Sequence, residues 1–373
     1  MVNDNDIYKI KDSVDLFLSN ENYILAYFMN TRQRKSFRVN KEAVHLLECI
    51  DGTRNLAEIK EIMQNRYNIV SEYVNNVIKT MENAHIITKI NKNHNILSKD
   101  ELQRYSRQIN YFGEFLESEE KGIEAQKNII NSTIIIFGIG AVGGSIAIEL
   151  AMAGVGKIIL YDFDKVEVSD ACRHMYFKEE YINANKTVAL KKELEKINKN
   201  IKVEIIQESM KPETKIENLI KSVDFVVNTM DEPYIGYTAS KISRVCVKYK
   251  IAHYIAGGFD AHLASTGELI IPYVTPCVEC YAKHFKETLK DWKPQKHPVK
   301  NRYREIGGLA SMSLFSSSYA CIEIIKYIAG LIPMEKRFKV RGEFLFPDMS
   351  LTYLNVEKNP NCPVCGGAWK YES

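Results

Sequence analysis

The chain has 373 residues, with 50 Lys and Arg against 47 Asp and Glu and a formal net charge of +3. That length holds two or three domains, each with room for a core, and the even charge balance gives no case for nucleic acid or a membrane surface as main partner. The charged N-terminus, Met1 to Ser13, lacks the form of a signal peptide, so the eight cysteines are read in a reducing cytoplasm.

Residues 1–95 predict a small domain of their own. Tyr23 to Phe28 and Ser36 to Val39 are apolar or alternating and predict a hairpin. The period then turns helical, with Val44 and Leu47, then Leu56, Ile59 and Met63, then Tyr73, Val74, Val77, Ile78 and Met81. Asp51-Gly52-Thr53 predicts a turn, and Thr53 or Asn55 a helix cap. Two strands and three helices describe a winged-helix-like module. It carries no acid–base pair, nucleophile or ligand set, so it reads as a binding or dimerisation element; an extended peptide could add to the hairpin edge. Asn91 to Asp100 is a polar linker.

From residue 101 to 373 strands and helices alternate. Strands are predicted at 133–137, 157–162, 201–207, 223–229 and 251–256, and helices at 144–153, 183–197 and 236–249. This is an α/β pattern, a doubly wound, mostly parallel Rossmann-like sheet. Gly267 to Val274 predicts an added antiparallel strand, and Leu309 to Ala329 a long buried helix. Asn128 to Ile148 carries no charge, but four glycines and a β-branched first half fit strand–turn–helix better than a membrane span.

The turn Gly138-Ile139-Gly140-Ala141-Val142-Gly143-Gly144 follows the first of these strands. Such glycines let a backbone approach phosphate at a helix N-terminus, though the motif alone fits many dinucleotide enzymes. Asp162 closes the next strand, where an acid can accept hydrogen bonds from ribose hydroxyls. Arg173 and Lys186 are cations suited to oxygens whose charge grows in a transition state, and Asp231, beyond the strand 223–229, suits Mg²⁺. Two cations and two acids favour a triphosphate with Mg²⁺ over a nicotinamide dinucleotide. Cys277-Val-Glu-Cys280 and Cys362-Pro-Val-Cys365 have the spacing of a tetrahedral Zn²⁺ site. Four thiolates leave no open position, so that zinc is structural.

Arg104-Tyr-Ser-Arg107-Gln108-Ile109, the glycine turn, Tyr161-Asp-Phe-Asp164, Arg173, Asn185-Lys186, Asp231 and the two cysteine pairs together resemble the ThiF/MoeB superfamily of adenylating enzymes. The resemblance covers about residues 101–370. Within the superfamily the chain is most similar to the MccB-type enzymes of microcin C biosynthesis, and residues 1–95 resemble PqqD-type leader-peptide-binding domains. The resemblance implies that Gly138, Gly140, Gly143, Asp162, Asp164, Arg173 and Lys186 hold ATP and that Asp231 holds Mg²⁺. It further implies an obligate homodimer in which Arg107 reaches the other subunit's site. Relatives mostly carry Ser-Asn-Leu-x-Arg-Gln where this chain reads Ser169-Asp-Ala-Cys-Arg173-His174, so Asp170 and His174 depart from the pattern.

The resulting expectation is a cytoplasmic, ATP-dependent adenylyltransferase that activates the C-terminal carboxylate of a small ribosomally made peptide. The same chemistry on a ubiquitin-like sulfur carrier is the alternative, although Tyr281 to Ala320 contains no cysteine for a covalent thiol step. A third reading is a non-catalytic scaffold presenting leader peptides to a partner enzyme, which retention of Arg107, Asp162, Arg173, Lys186 and Asp231 disfavours. The sequence leaves the peptide and the choice of ATP or CTP open.

Overall fold

A computed structural model describes residues 2–19, 22–90, 96–116, 118–232, 234–259, 263–291, 308–331 and 341–366. The chain forms two compact units, 1–127 and 128–373. In the first unit β1 (Ile7–Ile10), β2 (Val14–Leu18), β3 (Tyr23–Phe28) and β4 (Gln33–Arg38) precede α1 (Lys41–Cys49). Then come β5 (Asp51–Asn55), α2 (Leu56–Tyr67), α3 (Ser71–Asn83) and β6 (Ile87–Ile90). α4 (Lys99–Arg104), α5 (Ser106–Leu116) and α6 (Glu119–Asn131) follow.

The three expected helices of the module form, and their apolar stripes meet. Leu46, Leu56, Ile59, Met63, Val74 and Ile78 are fully enclosed in one core. Asn55 caps α2 through a reciprocal pair with Glu58: the Glu58 N–H donates to Asn55 Oδ1 at 2.9 Å, and the Asn55 N–H to Glu58 Oε2 at 2.8 Å. The expected two strands need correction, because the hairpin β3–β4 is joined by β2 into one sheet and β5-β1-β6 forms another. Asp51-Gly52-Thr53, expected as a turn, is strand: Lys9 pairs with Asp51 and Ile7 with Asn55. Asp51 and Gly52 disfavour a strand, and pairing with β1 overrides that local preference.

The second unit contains β7 (Thr133–Phe137), α7 (Ala141–Ala153), β8 (Lys157–Tyr161), α8 (Lys186–Ile197), β9 (Lys202–Ile206), α9 (Glu217–Lys221), β10 (Phe225–Asn228), α10 (Ile235–Lys248) and β11 (Ala252–Ile255). β12 (Leu263–Ser265), β13 (Glu268–Ile270), α11 (Val278–Thr288), α12 (Ala310–Ile328), β14 (Arg341–Leu345) and β15 (Ser350–Leu354) complete it. The main sheet runs β13-β11-β10-β7-β8-β9 and is parallel except for β13, which pairs antiparallel with β11 as expected. The chain winds outward from β7 to β9, then crosses back to β10 on the other side of β7. That reversal makes a crevice at the carboxyl ends of β7 and β10, where open α/β sheets place ligands.

Ile134, Ile135, Ile136 and Phe137 are wholly buried, as strands covered on both faces require. Asn128 to Ile148 folds as the end of α6, β7, the glycine turn and the start of α7, and among the described residues no helix is long and apolar enough to cross a membrane. The long helix expected at 309–329 is α12, packed along α7 with Met312, Ala320, Cys321 and Ile324 buried. The small sheet β12-β14-β15 was not foreseen, and residues 332–340 and 367–373 lie outside the described chain.

Candidate nucleotide and metal sites

The glycine turn leaves β7 at Phe137, and its glycines serve different ends. Gly138 has φ +81°, and a Cβ there would lie 2.8 Å from Thr229 Oγ1. A Cβ on Gly143 would stand 2.1 Å from the Gly138 carbonyl oxygen, a collision with backbone. A Cβ on Gly140 would meet nothing within 4 Å. Gly140 is also the N-cap of α7, with no side chain satisfying the helix's first N–H groups. Open space beside unspent donors is what an approaching phosphate requires, so these residues fit a nucleotide.

Asp162 is buried where β8 ends and fastens the turn. Its Oδ2 accepts the Ile139 N–H at 2.8 Å and its Oδ1 the Asp164 N–H at 2.8 Å. Burial pushes its pKa up, while those two N–H groups pull the other way. Each oxygen keeps a second acceptor position. On the far side of the same peptide, the Tyr176 hydroxyl donates to the Ile139 carbonyl at 2.7 Å. Tyr176 also lies where a Cβ on Gly144 would fall, 2.5 Å from its ring.

The cations join this frame through acids. Lys186 opens α8, is buried, and places Nζ 3.0 Å from Asp164 Oδ2; its N–H donates to the Asp164 carbonyl at 2.9 Å. Half-exposed Arg173 holds Asp170 Oδ1 through Nη2 at 3.2 Å. Asp231 is exposed just past Thr229, whose Oγ1 donates to the Gly138 carbonyl at 2.8 Å. One connected network therefore ties the turn, Asp162, Asp164 and Lys186, and β10 brings Asp231 to the same end of the sheet. Arg107 is exposed on α5 in the first unit. Sequence reasoning missed Tyr176 and Thr229. Neither has a spacing signature, because each acts through one contact to the backbone of the turn.

A model of the ThiF family matches residues 105–364. The chain belongs to the ThiF family. It is an adenylating enzyme, a nucleotidyltransferase. The vegetative protein HesA of Trichormus variabilis is 30% identical over 277 residues, covering 72% of this chain and 91% of that protein. The sulfur carrier protein ThiS adenylyltransferase of Escherichia coli is 25% identical over 272 residues, covering 72% of this chain and 96% of that protein. Among solved structures, E. coli MccB with succinimide has a TM-score of 0.71 at 20% identity, covering 97% of this chain and 100% of that one. PaaA has a TM-score of 0.72 at 21% identity, covering 94% and 100%. These two show the fold, and this ThiF-family chain shares it along nearly its whole length.

The four paired cysteines converge. Cys277, Cys280, Cys362 and Cys365 are buried, with sulfurs all within 4.8 Å of one another. The Cys277–Cys362 and Cys280–Cys365 sulfur separations are 3.6 and 3.5 Å. Tetrahedral bonds of about 2.3 Å place sulfurs about 3.8 Å apart, so the cluster fits Zn²⁺ with slight expansion. Cys277 is the N-cap of α11, and the second pair sits on a tight turn in which the Gly366 N–H donates to the Cys362 carbonyl at 2.8 Å. A Cβ on Gly366 would lie 2.3 Å from that oxygen, so glycine is needed there. Ala239, Val247, Ile255 and Ile270 pack around the thiols, joining the C-terminal segment to α10 and the sheet.

Proposed function

We propose that this ThiF-family enzyme uses ATP to adenylate the C-terminal carboxylate of a small ribosomally made peptide. The joining of the glycine turn, Asp162, Asp164 and Lys186 at one end of the sheet carries the nucleotide part. Bound ATP with Mg²⁺ supplies an adenylyl group and a pyrophosphate leaving group. Gly140 lets the backbone of the turn approach the phosphates, Gly138 and Gly143 allow the close packing that shapes the turn, and the free N–H groups of α7 serve the phosphates. Asp162 and Asp164 serve the ribose side while holding the turn and Lys186. Lys186 and Arg173 offset the charge that grows on the leaving phosphates, and Asp231 is the metal ligand. The peptide carboxylate is itself the nucleophile, so no side chain need form a covalent bond. Positioning and charge perform the step.

The first unit supports a peptide as substrate. β4 is an edge of the β2-β3-β4 sheet and offers main-chain groups to an extended strand. Between that sheet and the helices α1 and α3 lies a cavity of about 540 Å³, lined by Leu16, Ile24, Phe37, Leu47, Tyr73 and Val77. Strand edge beside apolar groove suits a leader peptide. The match to a ThiS adenylyltransferase over 96% of its length favours a sulfur carrier as the second reading.

A homodimer with Arg107 acting in trans is part of the proposal. Arg107, Tyr111 and Phe115 recur at helical spacing along α5 and all are exposed, with the two aromatic rings 4.9 Å apart. Exposed aromatics beside a cation suit a docking face.

Purified protein should exchange labelled pyrophosphate into ATP when its peptide is present, and Asp231→Ala should remove exchange while the fold persists. Near-normal exchange by that variant would refute the metal role. Mixing inactive Arg107→Ala with inactive Asp231→Ala should restore part of the activity through hybrid dimers. No recovery after subunit exchange would place Arg107 outside the partner's site.

A further inference from the structure

Asp170 and His174 are buried side by side next to Arg173. Asp170 is 1% exposed and uses both oxygens: Oδ2 accepts the Glu167 N–H at 3.0 Å, while Oδ1 lies 3.2 Å from Arg173 Nη2 and 3.3 Å from His174 Nε2. The carboxylate accepts a hydrogen bond from Arg173 Nη2, and the His174 ring edge lies against the same oxygen. The buried Nδ1 of His174 has no hydrogen-bond partner. Its ring stacks on Tyr176 at 5.2 Å and 28°, and Tyr176 holds the glycine turn.

We propose that Asp170 and His174 are positioning residues that order Arg173 for the nucleotide's phosphates. This rests on the ATP-dependent reading above. The buried carboxylate grips one guanidinium nitrogen through a charge-assisted bond, stronger than a neutral asparagine could make. The N–H groups not spent on Asp170 stay on the half-exposed end of the side chain, so the cost of ordering it is met before ligand arrives. His174 supports the carboxylate as a neutral polar neighbour. A charged imidazolium would compete with Arg173 for the same oxygen. Burial holds the His174 pKa down to about 4 against the pull of Asp170, with Lys186 and Arg173 lowering it further and Asp164 opposing them.

The test is a double-mutant cycle read as the Kd of Mg·ATP for the full chain, by calorimetry, in wild type, Asp170→Asn, Arg173→Ala and the double variant. Asp170→Asn should weaken binding about tenfold in wild type and under about twofold when Arg173 is already absent. A general structural defect would multiply with Arg173→Ala instead, and that result overturns the proposal, as does equal or tighter binding by Asp170→Asn. His174→Gln keeps a polar group beside the carboxylate and should bind as wild type does, whereas His174→Phe keeps only an aromatic ring and should lose affinity. That pair decides the matter if Asp170→Asn does not fold: equal affinities overturn the proposal. Failure of wild type itself to bind ATP would refute the nucleotide reading, a distinguishable outcome.

Discussion

Two glycines three residues apart in the same turn have opposite sensitivities. Gly143→Ala forces a Cβ against the Gly138 carbonyl oxygen, so it should cost about 2 kcal/mol or more of stability and lower the melting temperature. Gly140→Ala meets open space and should change stability by only about 0.5 kcal/mol, yet weaken nucleotide binding because the methyl takes the phosphate's place. Melting curves beside ATP titrations check both. A Gly140→Ala protein that binds ATP normally would show that this glycine is not against the nucleotide. The motif itself was legible in the sequence. Which glycine serves packing and which serves the ligand was not, because that depends on how the turn folds back on its own Gly138 carbonyl and on Thr229 arriving from another segment.

At the scale of elements, the apolar runs of β7, β8 and β10 and the stripes of α3 and α10 were readable, since burial on both faces or on one face leaves a period in the sequence. β5 left no such trace and exists through its pairing with β1. The cysteine cluster is the element-level staple, binding the 362–366 turn to the start of α11. One Zn²⁺ per chain is expected by elemental analysis, with Cys277→Ser losing the metal and lowering the melting temperature. Removing zinc with a chelator should destabilise the protein similarly, since metal binding and folding of such sites are coupled. A metal-free preparation with unchanged stability and activity would refute a structural zinc.

The whole molecule joins a module without chemistry to an adenylating unit. If the first unit delivers the peptide, tethering raises the effective concentration of its C-terminus at the nucleotide. Val77→Arg, which puts a long charged side chain into the groove between α3 and the β2-β3-β4 sheet, should weaken peptide binding by about tenfold or more while ATP binds as before. Calorimetric titration of peptide into both proteins measures it. Unchanged peptide affinity would move substrate recognition out of that groove.

The sequence by itself determined the alternation of the α/β unit, the glycine turn, the acids at strand ends and the paired cysteines. Each follows from a local rule: a period, a tight turn, a ligand spacing. Only tertiary structure decided that Asp162 and Tyr176 hold opposite sides of the Ile139 peptide, that Asp170 takes Arg173 and His174 together, and that four distant sulfurs share one small volume. The first and the last join segments far apart in the chain; the Asp170 contacts are local in sequence, but the burial that gives them their strength comes from the surrounding fold, which no local window contains.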